Sequence, residues 1–410
     1  MSFFDGRFIR RLYNFLFQRF FFIRAVQPRF LNYQWCQLIY LFGQNKTNCN
    51  RVAALKEAID WMYCSIDAGN ENGSRCFSLA TGWSKCYPEV TGYNLYTLFD
   101  HYHFAQCYES FDRAIKMADW ELTIQLPNGS FQGGYIDQQP KPIVFNTGQV
   151  LQGIIRAYQE SGEEKYLIAA KKAADWLVEV QDEDGAWRRY CYLNVPRVTD
   201  SRIAYPLAET GKISGNTQYQ DAAYRSLDYV VKRQADNGWF PDCDNSIKYV
   251  DQPNTHTLVY TVEGLLYGGI LLNENRFIRA AQLTADKMLR RFEIDKKLYG
   301  RYNSNWKATV KWTCLTGCAQ ISLVWSKLFE ITNNAWYLNA ALKMNDYLCK
   351  NQNIVSSVRG IRGGIPGSDP IIGKYQPFTF PSWATKYFCD ALIQESKVLK
   401  KIHKKPVNNY

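Results

Sequence analysis

From about residue 50 onward, apolar positions recur every three and four residues, with charged residues filling the places between. Tyr166, Ala169, Ala170, Ala173, Trp176 and Leu177 form one such stripe. This is the spacing of a helix with one buried face and one face in water. The pattern predicts helices of this kind over roughly 50–66, 108–125, 164–181, 217–234, 275–291 and 334–350. Between them lie segments with fewer charges and more small residues, roughly 90–104, 146–160, 201–211, 256–272, 314–330 and 382–396. Gly148, Gly153, Gly264, Gly268, Gly269, Gly317 and Ala319 spread over several faces of these segments. Such positions suit helices surrounded by other helices.

The first kind of helix ends in a recurring phrase. Ala174-Asp175-Trp176-Leu177-Val178 leads to Gln181, Asp184, Gly185 and Trp187. Asp119-Trp120 leads to Gln125, Asn128, Gly129 and Phe131, and Asp228-Tyr229 to Gln234, Asn237, Gly238 and Trp239. Asp346-Tyr347 precedes Gln352, Gly360, Gly363 and Gly364, while Asp60-Trp61 and Asp286 mark two further copies. The period is about 50–60 residues, a supersecondary unit repeated six times. A residue present once per unit is architectural rather than catalytic, and these Asp residues are read so. Six outer and six inner helices in strict alternation predict an all-α fold, an (α/α)6 toroid. Closing the ring covers every apolar face without end caps. The toroid is assigned to residues 46–400, preceded by a basic, aromatic helical segment at 1–45 and followed by a basic tail at 401–410.

The connections leaving the outer helices are long, at about 20 residues, and loops of that length usually carry function. The reverse connections are short, as in Ser161-Gly162-Glu163-Glu164. Six inner N-termini therefore converge at the long-loop end, where free N–H groups favour anions. A site is expected there. Thr91, Asn146, Ser201, Thr255 and Ser382 stand where N-caps belong.

Composition narrows the partners. Hydrophobic content of 46% and aromatic content of 15% fill a large core and leave rings for a cleft. A net charge of +11 favours an acidic polymer first and an anionic membrane second. The basic residues are spread over helix surfaces and no nucleic-acid module is visible, so nucleic acid is not expected. Residues 3–30 interleave Arg7, Arg10, Arg11, Arg19 and Arg24 with Phe8, Leu12, Phe15, Leu16, Phe20, Phe21 and Phe22. They read either as a helix lying on an anionic membrane surface or as one packed outside the toroid. No apolar stretch is long enough to span a bilayer. Arg19 and Arg24 break the apolar N-terminal run, and no small-residue cleavage site follows. The expected location is the cytoplasm, with peripheral attachment to the inner face of the membrane as an extension. Twelve scattered cysteines without a CxxC pair are expected to be reduced and buried. No metal set and no Gly-rich phosphate cradle is present, and no cofactor is called for.

The starts of the inner helices supply the candidate chemistry. Glu89, Tyr93, Asp200, His256 and Tyr260 are the catalytic candidates. Asn146, Gln149, Arg197, Arg202, Trp239, Thr316, Gln320, Trp383 and Lys386 are the substrate-binding candidates. Amides, hydroxyls, guanidinium groups and indole faces in one wide cleft suit a saccharide that carries a carboxylate.

The outer helix, the Gln-x-x-Asn/Asp-Gly-x-aromatic loop and the inner helix together resemble the (α/α) toroid superfamily. That group includes six-hairpin glycosidases, unsaturated glucuronyl hydrolases, polysaccharide lyases, sugar 2-epimerases and terpenoid cyclases. Tyr87-Pro-Glu-Val-Thr-Gly-Tyr93, Phe145-Asn-Thr-Gly-Gln149, Cys314-Leu-Thr-Gly-Cys-Ala-Gln320 and Ser382-Trp-Ala-Thr-Lys386 look similar to a family found with bacterial surface-polysaccharide genes. The resemblance spans about residues 50–397 and implies a polysaccharide context. The Asp-rich acid motif of triterpene cyclases is missing, which argues against a cyclase.

Three functions remain open at this stage. A glycoside hydrolase would use Glu89 as proton donor and Asp200 or Glu263 as base. A lyase or C5-epimerase would neutralise the uronate with Asn146 or Arg202. His256 or Tyr260 would take the proton, and Tyr93 would protonate the leaving oxygen or the opposite face. The third is a non-catalytic glycan-binding scaffold of a membrane-associated assembly.

Overall fold

A computed structural model describes residues 50–404. The expectations for residues 1–45 and for the tail beyond 404 lie outside the described residues. Twelve α-helices follow one another: α1 (Arg51–Asp67), α2 (Pro88–Ala105), α3 (Tyr108–Ile124), α4 (Val144–Ser161), α5 (Glu164–Glu179), α6 (Ala204–Ser214), α7 (Thr217–Val231), α8 (Thr255–Leu271), α9 (Asn275–Asp295), α10 (Leu315–Thr332), α11 (Ala335–Cys349) and α12 (Ser382–Lys404). The even-numbered helices form the inner ring. α2 packs on α4, α4 on α6, α6 on α8, α8 on α10, α10 on α12, and α12 returns to α2. Each odd-numbered helix packs outside an inner one, and α1 closes the outer layer against α12. The fold is an (α/α)6 toroid.

The connections after outer helices cover 68–87, 125–143, 180–203, 232–254, 296–314 and 350–381. Those after inner helices are two or three residues long. Two-residue strands tie the long loops together. Phe77–Ser78 pairs antiparallel with Gly82–Trp83 and with Thr379–Phe380, and Thr313–Cys314 pairs with Ser368–Asp369.

The repeated phrase is a set of clamps between neighbouring units. The Gln181 amide donates to the Gly185 carbonyl at 3.1 Å and to the Ala222 carbonyl of α7 at 2.9 Å. Gln125 does the same with Gly129 and Ala169, both at 2.9 Å. Gln352 closes the ring by donating to Gly363 at 2.8 Å and to Ala54 of α1 at 2.9 Å. The repeated Asp accepts from the next outer helix: Asp119 from Tyr166 at 2.8 Å, Asp175 from Tyr219 and Asp286 from Tyr337 at 2.6 Å. Asp228 and Asp346 take Arg276 and Arg51 instead.

The glycines of the repeated phrase are sterically required, whereas a turn glycine outside it is not. Gly363 has φ +86°, and a Cβ there would stand 1.9 Å from the Glu57 carbonyl oxygen. Gly162 has a similar φ of +71°, but open space surrounds it. Gly162→Ala should cost about 1–2 kcal/mol, the conformational part alone. Gly363→Ala should cost about 2–5 kcal/mol, because strain and a backbone clash add at the ring closure. Urea unfolding of the two variants checks this, and equal costs would contradict the clamp account.

Two local expectations need correction. Inner helices start earlier than the capping pattern suggests, because Pro88 fills the first turn of α2 and Val144 begins α4. Thr91 therefore lies inside its helix, where its hydroxyl donates to the Tyr87 carbonyl. Asn146 lies in the first turn of α4, and Asn254, one residue before Thr255, caps α8. The third inner helix starts only at Ala204, after a 3₁₀ turn over Val198–Ile203 that carries Asp200, Ser201 and Arg202. Cysteine is also not uniformly free. Nine described cysteines are free, but Cys349 is disulfide-bonded. No described helix is long and apolar enough to cross a membrane.

Candidate active site

The long-loop end of the ring holds a cavity of about 840 Å³. Residues from the starts of four inner helices and from the 3₁₀ turn reach it. Glu89 and Tyr93 come from α2, Phe145 and Asn146 from α4, His256 and Tyr260 from α8, and Trp383 from α12. Arg197, Thr199 and Asp200 come from the turn before α6. Glu89 with Tyr93, and His256 with Tyr260, stand four apart and so share one helix face. Loop residues Tyr135, Lys141, Asp244, Arg301 and Tyr375 complete the walls.

Two carboxyls face this space from buried positions. Burial pushes Glu89 up to about 7, opposed by a hydrogen bond with Tyr87. Asn146 stands near the Tyr87 hydroxyl, and its buried Nδ2 makes no hydrogen bond of good geometry among the described residues. Burial likewise pushes Asp200 up to about 7, opposed by the Arg197 guanidinium and by a backbone hydrogen bond at Arg197. Asp200 Oδ2 is buried without a partner among the described residues.

Arg197 is only 4% exposed. Its Nη1 donates to the Asp244 carbonyl, while Nε and Nη2 are buried with no partner among the described residues. A buried guanidinium with two idle donors is costly unless a ligand supplies acceptors. The Asp244 carboxylate is committed elsewhere, accepting from Arg301 at 2.7 Å and from the Asn254 backbone N–H at 2.9 Å.

The remaining lining is aromatic. The Tyr87 ring lies 5.3 Å from Tyr135 and 6.3 Å from Trp383. The Trp383 indole donates to the Tyr375 hydroxyl at 2.7 Å. Tyr93 and Tyr260 share a hydrogen bond. The His256 ring sits 4.3 Å from Tyr260 and 5.5 Å from Tyr375. Burial pushes His256 down to about 4, so the imidazole is neutral near pH 7.

Of the sequence candidates, Glu89, Tyr93, Asn146, Arg197, Asp200, His256, Tyr260 and Trp383 meet at this cavity. The others do not line it. Arg202 pairs with Glu263 beneath it, 3.2 Å apart, with side chains 5% and 1% exposed. That pairing engages Arg202 Nε and one Glu263 oxygen away from the residues that line the cavity. Gln320 bonds to His256 and Glu263, Lys386 pairs with Asp390, and Trp239 packs edge-on against Trp306 at 5.6 Å. Gln149 and Thr316 are fully buried inner-helix residues. Thr316 meets the Tyr375 hydroxyl behind the cavity wall. Sequence reasoning missed Tyr87, Tyr135, Lys141, Asp244, Arg301 and Tyr375 as site residues. Arg301 follows the loop glycine Gly300, which was a usable signal; Tyr375 lies in the longest loop, where no periodicity marks it.

Fold and cavity together define an (α/α)6 toroid whose pocket opens among the loops that feed its inner helices. The sequence profile of the family "Pectic acid lyase" matches residues 145–205, the stretch that carries Asn146, Arg197 and Asp200. A search of curated proteins gave no match. Among solved structures, an unsaturated glucuronyl hydrolase specific for heparin aligns at TM-score 0.68 and 14% identity, covering 85% of this chain and 97% of that one. The unsaturated glucuronyl hydrolase of Bacillus sp. GL1, described as responsible for glycosaminoglycan degradation, aligns at 0.67 and 13%, covering 84% and 96%. The cellobiose 2-epimerase of Spirochaeta thermophila aligns at 0.69 and 11%, covering 86% and 96%.

Proposed function

We propose that this protein is a carbohydrate-active enzyme that hydrolyses a glycosidic bond in an acidic, uronic-acid-containing oligosaccharide or polysaccharide. The observation that carries this reading is one cavity with two buried carboxyls that titrate near 7 and a buried guanidinium with idle donors. Glu89, held protonated by burial, donates its proton to the leaving oxygen. Asp200, kept partly ionised by Arg197, activates the attacking water. Nε and Nη2 of Arg197, enclosed in the cavity wall in the free protein, turn outward to bind the uronate, and Trp383 and the tyrosines offer platforms for sugar rings. The heparin-specific and glycosaminoglycan-degrading hydrolases that share the fold fit this choice of substrate.

A second reading is favoured by a different observation. His256 is neutral, and the Tyr93–Tyr260 pair lies beside it, so a base and a proton donor are at hand for removing the proton next to a carboxylate. Lyase or C5-epimerase chemistry would use them, and the pectic acid lyase profile points the same way. Product analysis separates the readings. Hydrolysis leaves products without ultraviolet absorbance from an unsaturated end. Appearance of that absorbance would replace the hydrolase reading with a lyase, and solvent deuterium entering an uncut polymer would replace it with an epimerase.

A further inference from the structure

A chain of buried polar groups runs from beneath the cavity floor up to His256. Arg202 Nε donates to Glu263 Oε2 at 3.2 Å. Gln320 Nε2 donates to the same oxygen at 3.1 Å, and Gln320 Oε1 lies 2.6 Å from His256 Nδ1. The Tyr387 hydroxyl adds a third donor to Glu263 Oε2 at 3.4 Å. Arg202, Glu263, Gln320 and His256 are all buried.

The chemistry of these groups dictates the direction of each bond. A guanidinium only donates. A neutral Glu263 would leave Arg202 an uncompensated buried cation, so the pair is ionised. An ionised carboxylate only accepts, so the Gln320 amide nitrogen must face Glu263. The Gln320 carbonyl oxygen then faces His256 Nδ1 and can only accept. His256 must carry its proton on Nδ1. In a neutral imidazole the other nitrogen is then bare. His256 Nε2 makes no hydrogen bond to any described residue and is not sealed in the interior, and the ring lines the cavity.

We infer that Arg202, Glu263 and Gln320 are a positioning relay that locks His256 in the Nδ1–H tautomer and presents the bare Nε2 lone pair to the cavity. On the carbohydrate reading above, that lone pair accepts a hydrogen bond or a proton from the bound saccharide. Gln320 thereby acts through His256 rather than on the substrate, and Arg202 anchors the orientation from below. The relay spans the 3₁₀ turn, α8 and α10, so it also fixes three elements of the inner ring relative to the site.

The test reads the tautomer directly. In the ¹⁵N-labelled full chain, two-bond ¹H–¹⁵N correlations of the four histidine rings give the protonation state of each nitrogen. Loss of one set in His256→Gln assigns the residue. Between pH 6 and 8 the expected spectrum shows His256 with a protonated Nδ1 and a bare Nε2. The reverse tautomer, a mixture or an imidazolium would overturn the inference. Gln320→Met keeps the side-chain length and drops both hydrogen bonds. It should convert the spectrum to mixed tautomers and lower turnover on the order of 10–100-fold, with KM changed less than twofold. An unchanged tautomer in this variant would also overturn the inference. If Gln320→Met does not fold, the double variant Arg202→Met with Glu263→Gln removes both charges together and should give the same mixed spectrum. The tautomer is read without substrate. A locked Nδ1–H with no action on saccharides refutes the carbohydrate reading alone, and turnover with a reversed tautomer refutes the relay alone.

Discussion

Glu89→Gln is expected to lower kcat on an acidic oligosaccharide by about 10²–10⁴-fold, the contribution of a positioned proton donor. The glutamine fills the same space and keeps an acceptor for Tyr87, so the cavity walls should stand. The pH dependence gives a second signature. As donor, Glu89 must be protonated, so activity falls as pH rises through about 7. Asp200 must be ionised, so activity falls as pH drops below about 7. The wild type therefore shows a narrow bell centred near 7, and the residual rate of Glu89→Gln lacks the alkaline limb. Stability moves the opposite way. The folded-state pKa of Glu89 lies above its unfolded value, so its favourable term is complete below the unfolded value and is lost as pH rises through about 7. At pH 8 burying the ionised form costs on the order of 3 kcal/mol. Glu89→Gln should unfold at a higher temperature than wild type at that pH while being nearly inactive. A variant that is both inactive and destabilised at pH 8 would mark Glu89 as structural.

Arg197→Met should raise KM for a uronate-containing substrate about 10- to 100-fold, the loss of two hydrogen bonds to a charged group. The same change should leave binding of a carboxyl-reduced analogue nearly unaltered, because that ligand never engages the guanidinium. Burial with two unpaired donors makes the free protein tolerate the loss. The Asp244 carbonyl contact disappears, and a buried cation with two idle donors disappears with it. Arg197 also holds Asp200 down, so the acidic limb of the pH profile should move to higher pH. Calorimetric titration with both ligands and a pH–rate profile measure the two effects. Equal losses for the acidic and reduced ligands would show that Arg197 shapes the loop rather than reading charge.

The toroid was legible because it is written six times. Each stripe such as Tyr166 to Leu177 fixes a buried face, and the alternation of charged and small-residue helices separates outer from inner. The meaning of the repeated phrase was less accessible. That Asp175 is architectural follows from its recurrence, but its partner Tyr219 and the Gln181 contact to Ala222 lie more than 40 residues away, and nothing local announces them. The same limit governs the site. Helix starts converge at the mouth of a closed ring, which brought Glu89, Asn146, Arg197, Asp200, His256 and Trp383 to one list. Which face a given side chain takes is set by rotation about the helix, and one residue of drift moves it by about 100°. Arg202 looked as able to bind a carboxylate as Arg197, and only the pairing with Glu263 from another helix separates them. Tyr375, from a 32-residue loop without period, had no signal at all.

The most direct measurement is mass spectrometry of uronic-acid-containing oligosaccharides incubated with the full chain in H₂¹⁸O, alongside their carboxyl-reduced counterparts. The account predicts cleavage of the acidic set, one ¹⁸O gained per bond cut, and little action on the reduced set. Cleavage without ¹⁸O, or binding of acidic saccharides with no change in mass at all, would contradict it.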